Sequence, residues 1–395
     1  MRFAYLSDGK LWVKTSVGNP REIESVFAAE HVARAQARQV NHAWKGAGRD
    51  PQSTFNARAV WGRQVGGGEN VGDVAPVFRH VAAGASPGEI IYVLEMSASS
   101  GLFRQNFETG EEHRIFHRQE FLCGGLACDP STGDIVYSAA GPSGLANIER
   151  LGVARASDHA LTDGEARDTF PAYVPGAPRG TVVFQSSGAG RDGEGNLLAF
   201  GPSAVLLFSM GANDLRTLVE SETHDHLAPQ LDASGNLYFI RRPYQDFARP
   251  SFWAQVKNFI LIPYHLGCAF FGFLDAFTRI FGRASLRHAG GPDTQSPPKR
   301  RWVRIHETAV DLHHALQRHA KGDDSASLVP ATWELIRMAP DGSEETIADK
   351  IACFALRPDG ALLYSNGFSV WHRPVGATTS TLIHRGKVIQ ALAWV

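Results

Sequence analysis

A short phrase, in which a tight turn precedes a continuous apolar strand, recurs along the chain and constrains its fold more than any other feature. The clearest copy runs from His224 to Tyr244, where Asp232-Ala-Ser-Gly precedes Leu237-Tyr-Phe-Ile. Turns of this kind reverse the chain, and apolar runs of this length form buried strands. The phrase therefore predicts a strand, a turn and a buried strand. Its copies begin apolar strands near residues 3, 90, 135, 181, 236 and 361.

The spacing of these copies predicts a repeat protein. Most lie roughly 40 to 55 residues apart, which is the length of a four-stranded propeller blade. Two longer gaps contain insertions. The sequence thus predicts an all-β, six-bladed β-propeller that forms one domain over residues 1–395, with an inserted helix at 25–46 and a helical insertion in blade five at 245–330. Seven blades is the alternative if Phe55-Asn-Ala-Arg-Ala-Val-Trp-Gly begins another.

The two ends of the chain are predicted to complete one blade together. Phe3 to Val13 forms a hairpin around Asp8-Gly9 and begins at the second strand of a blade. Val388 to Val395 is a strand with no turn or partner after it. Pairing this last strand with Phe3–Leu6 leaves no open edge.

Three copies carry a further pattern, an apolar segment with proline ahead of the turn. They are Phe170-Pro171-Ala-Tyr173, Leu227-Ala-Pro229 followed by Asp232 to Ile240, and Arg357-Pro-Asp-Gly360 followed by Leu362 to Ser365. This pattern resembles the repeat of TolB-like six-bladed propellers, although most turns here lack the full Ser-Pro-Asp-Gly. Related propellers cap prolyl-oligopeptidase-type hydrolases, but the sequence contains no Gly-x-Ser-x-Gly nucleophile elbow.

Composition excludes several classes of protein. A formal net charge of −1 argues against a dedicated nucleic-acid binder, which usually carries a basic excess. The four cysteines form no Cys-x-x-Cys pair and have no zinc-finger spacing, so we expect free thiols, no metal and no cofactor. The N-terminus lacks the apolar core of a signal peptide, which predicts a cytoplasmic protein.

Two polar groups in the clearest copy are candidate binding residues. His224, Asp225 and His226 are placed by the repeat in a loop at the mouth of the propeller, where a metal would need a further ligand from another blade. The simpler interpretation is that they satisfy loop backbone groups. Arg241 and Arg242 have the side chains that bind carboxylates or phosphates, or that pair with nearby acids such as Asp246.

Two helices are predicted outside the repeats. Ser25 is the expected N-cap of the first, whose apolar face (Ala33, Ala37, Val40 and Trp44) is expected to pack against the propeller. The second surrounds Glu307 to His319 and places His306, His313 and His314 only partly together. This spacing does not match a zinc motif and predicts a surface helix.

The most apolar part of the chain, residues 252–281, lies in the second insertion. Asn258 to Leu274 has no formal charge and is at the lower limit of a membrane span, but a single crossing would split blade five. Three interpretations remain: a helical pair packed on the propeller, a surface for a protein partner, or a peripheral anchor on anionic lipid. The expected contacts are Phe252, Trp253, Phe259, Ile260, Phe270, Phe271, Phe273, Arg283, Lys299, Arg300 and Arg301.

The sequence contains no recognisable catalytic constellation, so no catalytic residue is assigned. We expect a non-catalytic scaffold that binds a protein partner in the cytoplasm and reaches the inner face of the membrane through residues 252–287. The alternative is a hydrolase or lyase with a metal-dependent site in the central channel near His224, Asp225 and His226.

Overall fold

The computed structural model describes residues 1–16, 18–46, 76–96, 99–119, 121–141, 143–152, 155–244, 302–306, 308–321, 323 and 326–395. Strands account for most of this part of the chain, and two helices accompany them there.

The first sheet joins both ends of the chain. It contains β1 (Phe3–Ser7), β2 (Lys10–Lys14), β3 (Arg21–Ile23) and the last strand, β27 (Ile389–Trp394), in the order β27-β1-β2-β3. The register runs from Phe3↔Trp394 to Ser7↔Ile389, so the pairing predicted from the sequence is present. Asp8 and Gly9 have φ values of 55° and 75°, as a two-residue type I′ turn requires.

Three other four-stranded sheets in the described residues repeat this antiparallel order. The first contains β4 (Val77–Ala83), β5 (Glu89–Met96), β6 (Ser99–Asn106) and β7 (Glu112–Gln119). The second contains β17 (His224–Leu231), β18 (Leu237–Pro243), β21 (Glu334–Met338) and β22 (Glu344–Asp349). The third contains β23 (Cys353–Leu356), β24 (Leu362–Ser365), β25 (Ser369–Arg373) and β26 (Thr381–Arg385).

A nine-stranded sheet holds two more groups of the same kind. One is β8 (Leu122–Cys128), β9 (Ile135–Ala140), β10 (Ala146–Gly152) and β11 (Arg155–Ala160). The other is β12 (Ala166–Tyr173), β13 (Thr181–Arg191), β15 (Ala204–Ser209) and β16 (Asp214–Val219), with β14 (Leu197–Phe200) paired to the end of β13. One parallel pair, Ala146↔Arg167, joins the two groups.

The apolar strand of every predicted repeat is the second strand of its group. These strands are β1, β5, β9, β13, β18 and β24, and they contain the most deeply buried side chains, such as Tyr92, Tyr137, Phe184 and Phe239. The repeat phrase therefore predicted both the strands and their burial correctly. Apolar clusters fill the space between neighbouring groups, as where Leu6 and Leu11 of the first sheet meet Ile90 and Tyr92 of the next.

The turn after β17 shows why an aspartate opens the phrase. Asp232 is buried, and its carboxylate accepts hydrogen bonds from the backbone N–H groups of Ser234 and Asn236, both 2.9 Å, and from the Asn236 amide at 2.8 Å. The next residue, Ala233, donates its N–H to Pro358 O in the β23–β24 turn. The aspartate thus forms its own turn and positions it against the turn of the next sheet.

The antiparallel order sorts the connections onto two faces. The turns between first and second strands, and between third and fourth strands, lie on one face, which we call the turn face. The opposite face, the insertion face, carries the start of α1 (Val26–Gly46), the β13–β14 hairpin and the two described chain ends at Tyr244 and Trp302.

Helix α1 is attached by its first turn. Ser25 is the N-cap, as predicted, because its Oγ accepts from Ala28 N at 3.1 Å. Glu112 of β7 accepts from Phe27 N at 3.0 Å and from the Ser25 hydroxyl at 2.6 Å, which places a carboxylate at the positive end of the helix.

The apolar face that was expected to anchor α1 does not do so where its side chains are described. Ala33 and Ala37 are exposed, and Phe27 and Ala28 pack against the sheet instead. For Ala33 and Ala37 the prediction was wrong, because helical periodicity identifies a face but not the partner that covers it. Val40 and Trp44 lie in the helix, but their side chains are outside the description.

The segment that precedes α2 (Leu312–Ala320) is a hairpin and not a helix. It contains β19 (Trp302–Ile305) and β20 (Thr308–Asp311), so the predicted helix over Glu307–His319 begins later, where Asp311 caps it by accepting from His313 N. Strand pairing from Trp302↔Asp311 to Ile305↔Thr308 overrides the helical pattern here. Neither helix of the described chain is long and apolar enough to cross a membrane.

We predict that Asp232→Ala destabilises the protein by about 2–4 kcal/mol, because the two buried N–H donors of Asn236 and the partly buried N–H of Ser234 lose their acceptor. Asp192 makes the same three bonds, to Glu194 N, Asn196 N and the Asn196 amide, in the exposed β13–β14 hairpin. Asp192→Ala is therefore the matched control, since water can replace its carboxylate. Denaturant unfolding measures both variants, and equal losses of stability would contradict this account of the repeat.

Candidate functional site

A central channel runs between the sheets of the described residues. Its volume is about 1460 Å³, and it is lined by the first strand of every four-stranded group: β4, β8, β12, β17, β23 and β27. Each first strand is paired on one side only, except for the single pair between β12 and β10, so free strand edges face the channel. Exposed turn residues, among them Ser86, Pro130, Arg179 and Arg357, form its mouth on the turn face.

Five of the six first strands break register, including β27, where the shift lies between Ile389 and Ala391, and the other four break register at one level along the channel. These four shifts lie between Phe78 and His80 in β4, Cys123 and Leu126 in β8, Thr169 and Ala172 in β12, and Leu227 and Gln230 in β17. Such bulges leave residues unpaired and re-aim their side chains. They bring His80, Gly125, Phe170 and Ala228 to the channel wall.

The bulges strain the backbone where the chain approaches itself most closely. Phe170 and Ala228 have φ values of 52° and 51°, a region that residues with a β-carbon adopt at a cost. Gly125 has a φ of 136°, and a Cβ at that position would lie 2.8 Å from Phe170 Cα. Only glycine fits beside Phe170.

Three rings cross the channel at this level, and we call them the channel floor: His80, Phe170 and His306. His306 lies at the tip of the β19–β20 hairpin, and its Nε2 donates to Ala352 O at 2.9 Å. Its ring centroid is 4.9 Å from that of Phe170, which is 5.8 Å from that of His80. His80 Nε2 in turn donates to Cys123 O at 3.0 Å. The hairpin therefore closes the channel toward the insertion face.

Burial keeps both imidazoles of the floor uncharged. It lowers the pKa of His80 to about 4, with Arg79 adding to the effect, and the pKa of His306 to about 3, with Arg242 adding there. Burial also raises the pKa of the Cys128 thiol, on the channel wall, to about 12. The thiol is therefore protonated and a poor nucleophile at neutral pH.

His224, Asp225 and His226 lie in strand β17 and not in a loop, and none of them lines the channel. Asp225 is buried and accepts from Ser203 N at 2.9 Å, so the prediction that this group satisfies backbone was correct for Asp225. The His226 ring packs edge-on against Phe239, and burial lowers its pKa. His224 bonds Thr223 through Nδ1.

Arg241 and Arg242 pair with acids of the protein itself. Arg241 bridges Glu334 at 3.0 Å and Glu344 at 2.8 Å. Arg242 donates to Asp225 at 2.9 Å and to the Thr308 hydroxyl of β20, and it lies 4.7 Å from the centre of the Trp333 ring. Arg242 thus fastens the hairpin that carries His306. The expected partner Asp246 lies outside the described residues.

The remaining predicted contacts cannot be placed, since residues 245–301 fall outside the described ranges. This applies to the eleven residues from Phe252 to Arg301 that were assigned to partner or membrane contact, and to the alternative seventh blade at Phe55. Within the described ranges, no three His, Cys, Asp or Glu side chains lie together in a group that could hold a metal ion.

The sequence drew attention to two of the three floor residues, although His306 was considered only with His313 and His314 in a zinc spacing that does not match. Phe170-Pro171 was recognised as part of the repeat, whereas nothing near His80 marks that residue, and the pattern around His306 predicted a surface helix and not a place in the channel. These three positions are brought together by register breaks and by a hairpin inside an insertion. A local pattern does not encode such long-range contacts.

Comparisons with known proteins add information on the fold. No family model and no curated protein matches the sequence. Among solved structures, TolB from Acinetobacter baumannii is similar over 100% of this chain and 66% of its own, with a TM-score of 0.50 and 11% identity. A chain in a nidogen–laminin complex matches 99% of this chain and 97% of its own, with a TM-score of 0.49 and 10% identity.

The fold is thus that of a β-propeller, with free first strands around a central channel. It is a TolB-like propeller in particular, as the repeats Phe170–Tyr173 and Leu227–Ile240 indicated. At 11% identity the similarity concerns fold alone, and the chain spans just under two thirds of the length of that TolB.

We predict that acid destabilises the protein through the channel floor. Because the pKa of His306 is lowered from 6.5 to about 3 on folding, the unfolded chain binds this proton first as the pH falls. Stability from this residue is complete above about pH 6.5 and declines below it, by about 2–3 kcal/mol at pH 4.5.

Unfolding by denaturant at pH 7 and pH 4.5 measures this loss. His306→Gln should lose about 2 kcal/mol less between the two pH values than the wild type does. His113→Gln, on the exposed outer strand β7, is the control and should behave as the wild type does. Identical losses in His306→Gln and wild type would show that His306 is not responsible.

Proposed function

We propose that this TolB-like propeller has six blades and is a non-catalytic scaffold that binds a protein partner through its insertion face. Six antiparallel four-stranded groups support the blade count, with two of them joined in the nine-stranded sheet. The pairing of β27 with β1 supports closure by both ends of the chain.

The observation that carries the proposal is that the added segments emerge on one face. The start of helix α1, the β13–β14 hairpin and the described chain ends at Tyr244 and Trp302 lie there, whereas the turn face has short turns. Short turns suffice to build a repeat, so extra chain concentrated on one face is best explained by binding. The hairpin also exposes 65% of Leu198, and α1 exposes Ala33 and Arg34.

The channel chemistry favours a scaffold over the alternative hydrolase or lyase. His80 and His306 are uncharged and donate to backbone carbonyls, and Asp225 is paired with Arg242. These groups stabilise the fold, and His224, Asp225 and His226 do not meet in the channel.

We predict that Leu198→Glu weakens capture of the partner roughly tenfold or more, since a charge replaces an exposed apolar contact. Val375→Glu is the matched control, because Val375 is 57% exposed in the β25–β26 turn on the turn face. Tagged protein is incubated with lysate of the source cells, and bound proteins are quantified by mass spectrometry. A partner lost from Val375→Glu but retained by Leu198→Glu would place binding on the other face.

The sequence of the second insertion supports a cytoplasmic protein held at the inner face of the membrane. Asn258 to Leu274 carries no formal charge, and Arg283, Lys299, Arg300 and Arg301 follow it. Apolar side chains next to cations favour anionic lipid.

Flotation with vesicles containing phosphatidylserine tests this attachment. The full chain is expected to float with these vesicles, less so at high salt, and deletion of residues 252–287 should abolish flotation. Vesicles of phosphatidylcholine alone are the control. Full-length protein that stays at the bottom of the gradient with both vesicles would refute membrane attachment while leaving the scaffold proposal intact.

A further inference from the structure

The channel is closed at the floor and opens on the turn face, opposite the surface proposed to bind a partner. We propose that it is a pocket for a small, uncharged aromatic alcohol or amide, with His80 Nδ1 as the acceptor for the ligand's hydroxyl or N–H group. This binding site is additional to the scaffold function and does not depend on it.

The hydrogen bond to Cys123 O fixes the tautomer of His80. A carbonyl oxygen only accepts, so Nε2 carries the proton, and the neutral ring leaves a lone pair on Nδ1. His80 is half-buried, lines the channel and has no donor on Nδ1 among the described residues. The floor thus presents a free acceptor to the channel.

His306 differs from His80 in a way that assigns the two rings different roles. Its Nε2 bonds Ala352 O, but its Nδ1 is sealed from solvent without a partner. A ligand in the channel cannot reach that atom. His306 therefore closes the channel and supports Phe170, and His80 alone offers a hydrogen bond.

Phe170 supplies the apolar part of the site. It is half-buried, and its exposed part lines the channel next to His80. Three residues with a β-carbon and positive φ, namely Phe170, Ala228 and His306, all line this cavity. Strain of this kind is retained where a special geometry is needed. An aromatic ligand can pack on the Phe170 ring and direct a donor to Nδ1.

The charges around His80 favour an uncharged ligand. Arg79 and Glu95 pair with each other, and the other groups against the ring are Cys123 O, Phe170 and His306. A cationic ligand would find no carboxylate at the floor. Within the three described rings of the floor, an anionic ligand would find no free side-chain donor, because both Nε2–H groups are bonded to carbonyls.

Two isomers of equal size test the proposal: benzyl alcohol, which donates a hydrogen bond, and anisole, which does not. Ligand-observed NMR titration of the full chain measures both affinities. We expect benzyl alcohol to bind roughly three- to tenfold more tightly than anisole, the effect of one hydrogen bond. Benzylammonium and benzoate should bind more weakly than benzyl alcohol.

Three variants locate the effect. His80→Phe keeps a ring but removes the acceptor, so the preference for benzyl alcohol should disappear while anisole still binds. His80→Gln retains an acceptor oxygen and should keep part of the preference. His113→Phe, on β7 outside the channel, should behave as the wild type does. Circular dichroism confirms that each variant is folded.

A measurement on the wild-type chain tests the same hydrogen bond without any substitution, so it does not depend on whether the His80 variants fold. In ¹⁵N-histidine-labelled protein, benzyl alcohol should shift the His80 Nδ1 resonance, whereas anisole should not. Equal affinities for the two isomers, an unshifted Nδ1 resonance, or a preference that survives in His80→Phe would each overturn the proposal. None of these outcomes bears on partner capture by the insertion face.

Discussion

The rest of the structure depends on the register breaks in the first strands. A strand that stayed in register past Thr169 or Leu227 would keep its backbone groups within its own sheet. The bulge instead frees groups that bond the next sheet: Ala228 N donates to Gln185 Oε1 at 2.8 Å, across from β17 to β13. A second side-chain amide makes a similar bond without a bulge in the donor strand: Leu356 N, on the free edge of β23, donates to Gln230 Oε1 of β17 at 2.8 Å. The groups are therefore joined around the channel by side-chain amides as well as by apolar packing.

The same breaks produce the channel floor, but the floor also needs the hairpin from the second insertion. His306 reaches the channel because Ile305 and Leu312, on either side of the β20 strand, are buried in the core beside Trp333 and Leu335. Arg242 then ties β18 to β20 through Thr308. Arg242, which was a candidate binding residue in the sequence, thus holds the β19–β20 hairpin and its His306 in place.

The repeats could be predicted from the sequence because their information is local. Asp232, Gly235 and the run from Leu237 to Ile240 fall within a few residues of one another, and each acts through its nearest neighbours. The same holds for Ser25, whose hydroxyl caps the helix that begins at the next residue. The pairing of β27 with β1 is long-range, yet it followed from counting strands, since one group would otherwise lack its first strand.

The candidate site could not be predicted in the same way, because its geometry depends on which residues a bulge turns inward. His224, Asp225 and His226 were predicted to lie in a loop because these three consecutive polar residues come just before a repeat. Asp225 lies buried in a strand instead because Arg242 and Ser203 N supply its partners from a neighbouring strand and a neighbouring group. The positions of His80 and His306 in the channel could not be predicted for the converse reason. Their partners, Cys123 O and Ala352 O, are backbone atoms. Every residue has a backbone carbonyl, so the residue type does not show which carbonyl will accept a hydrogen bond.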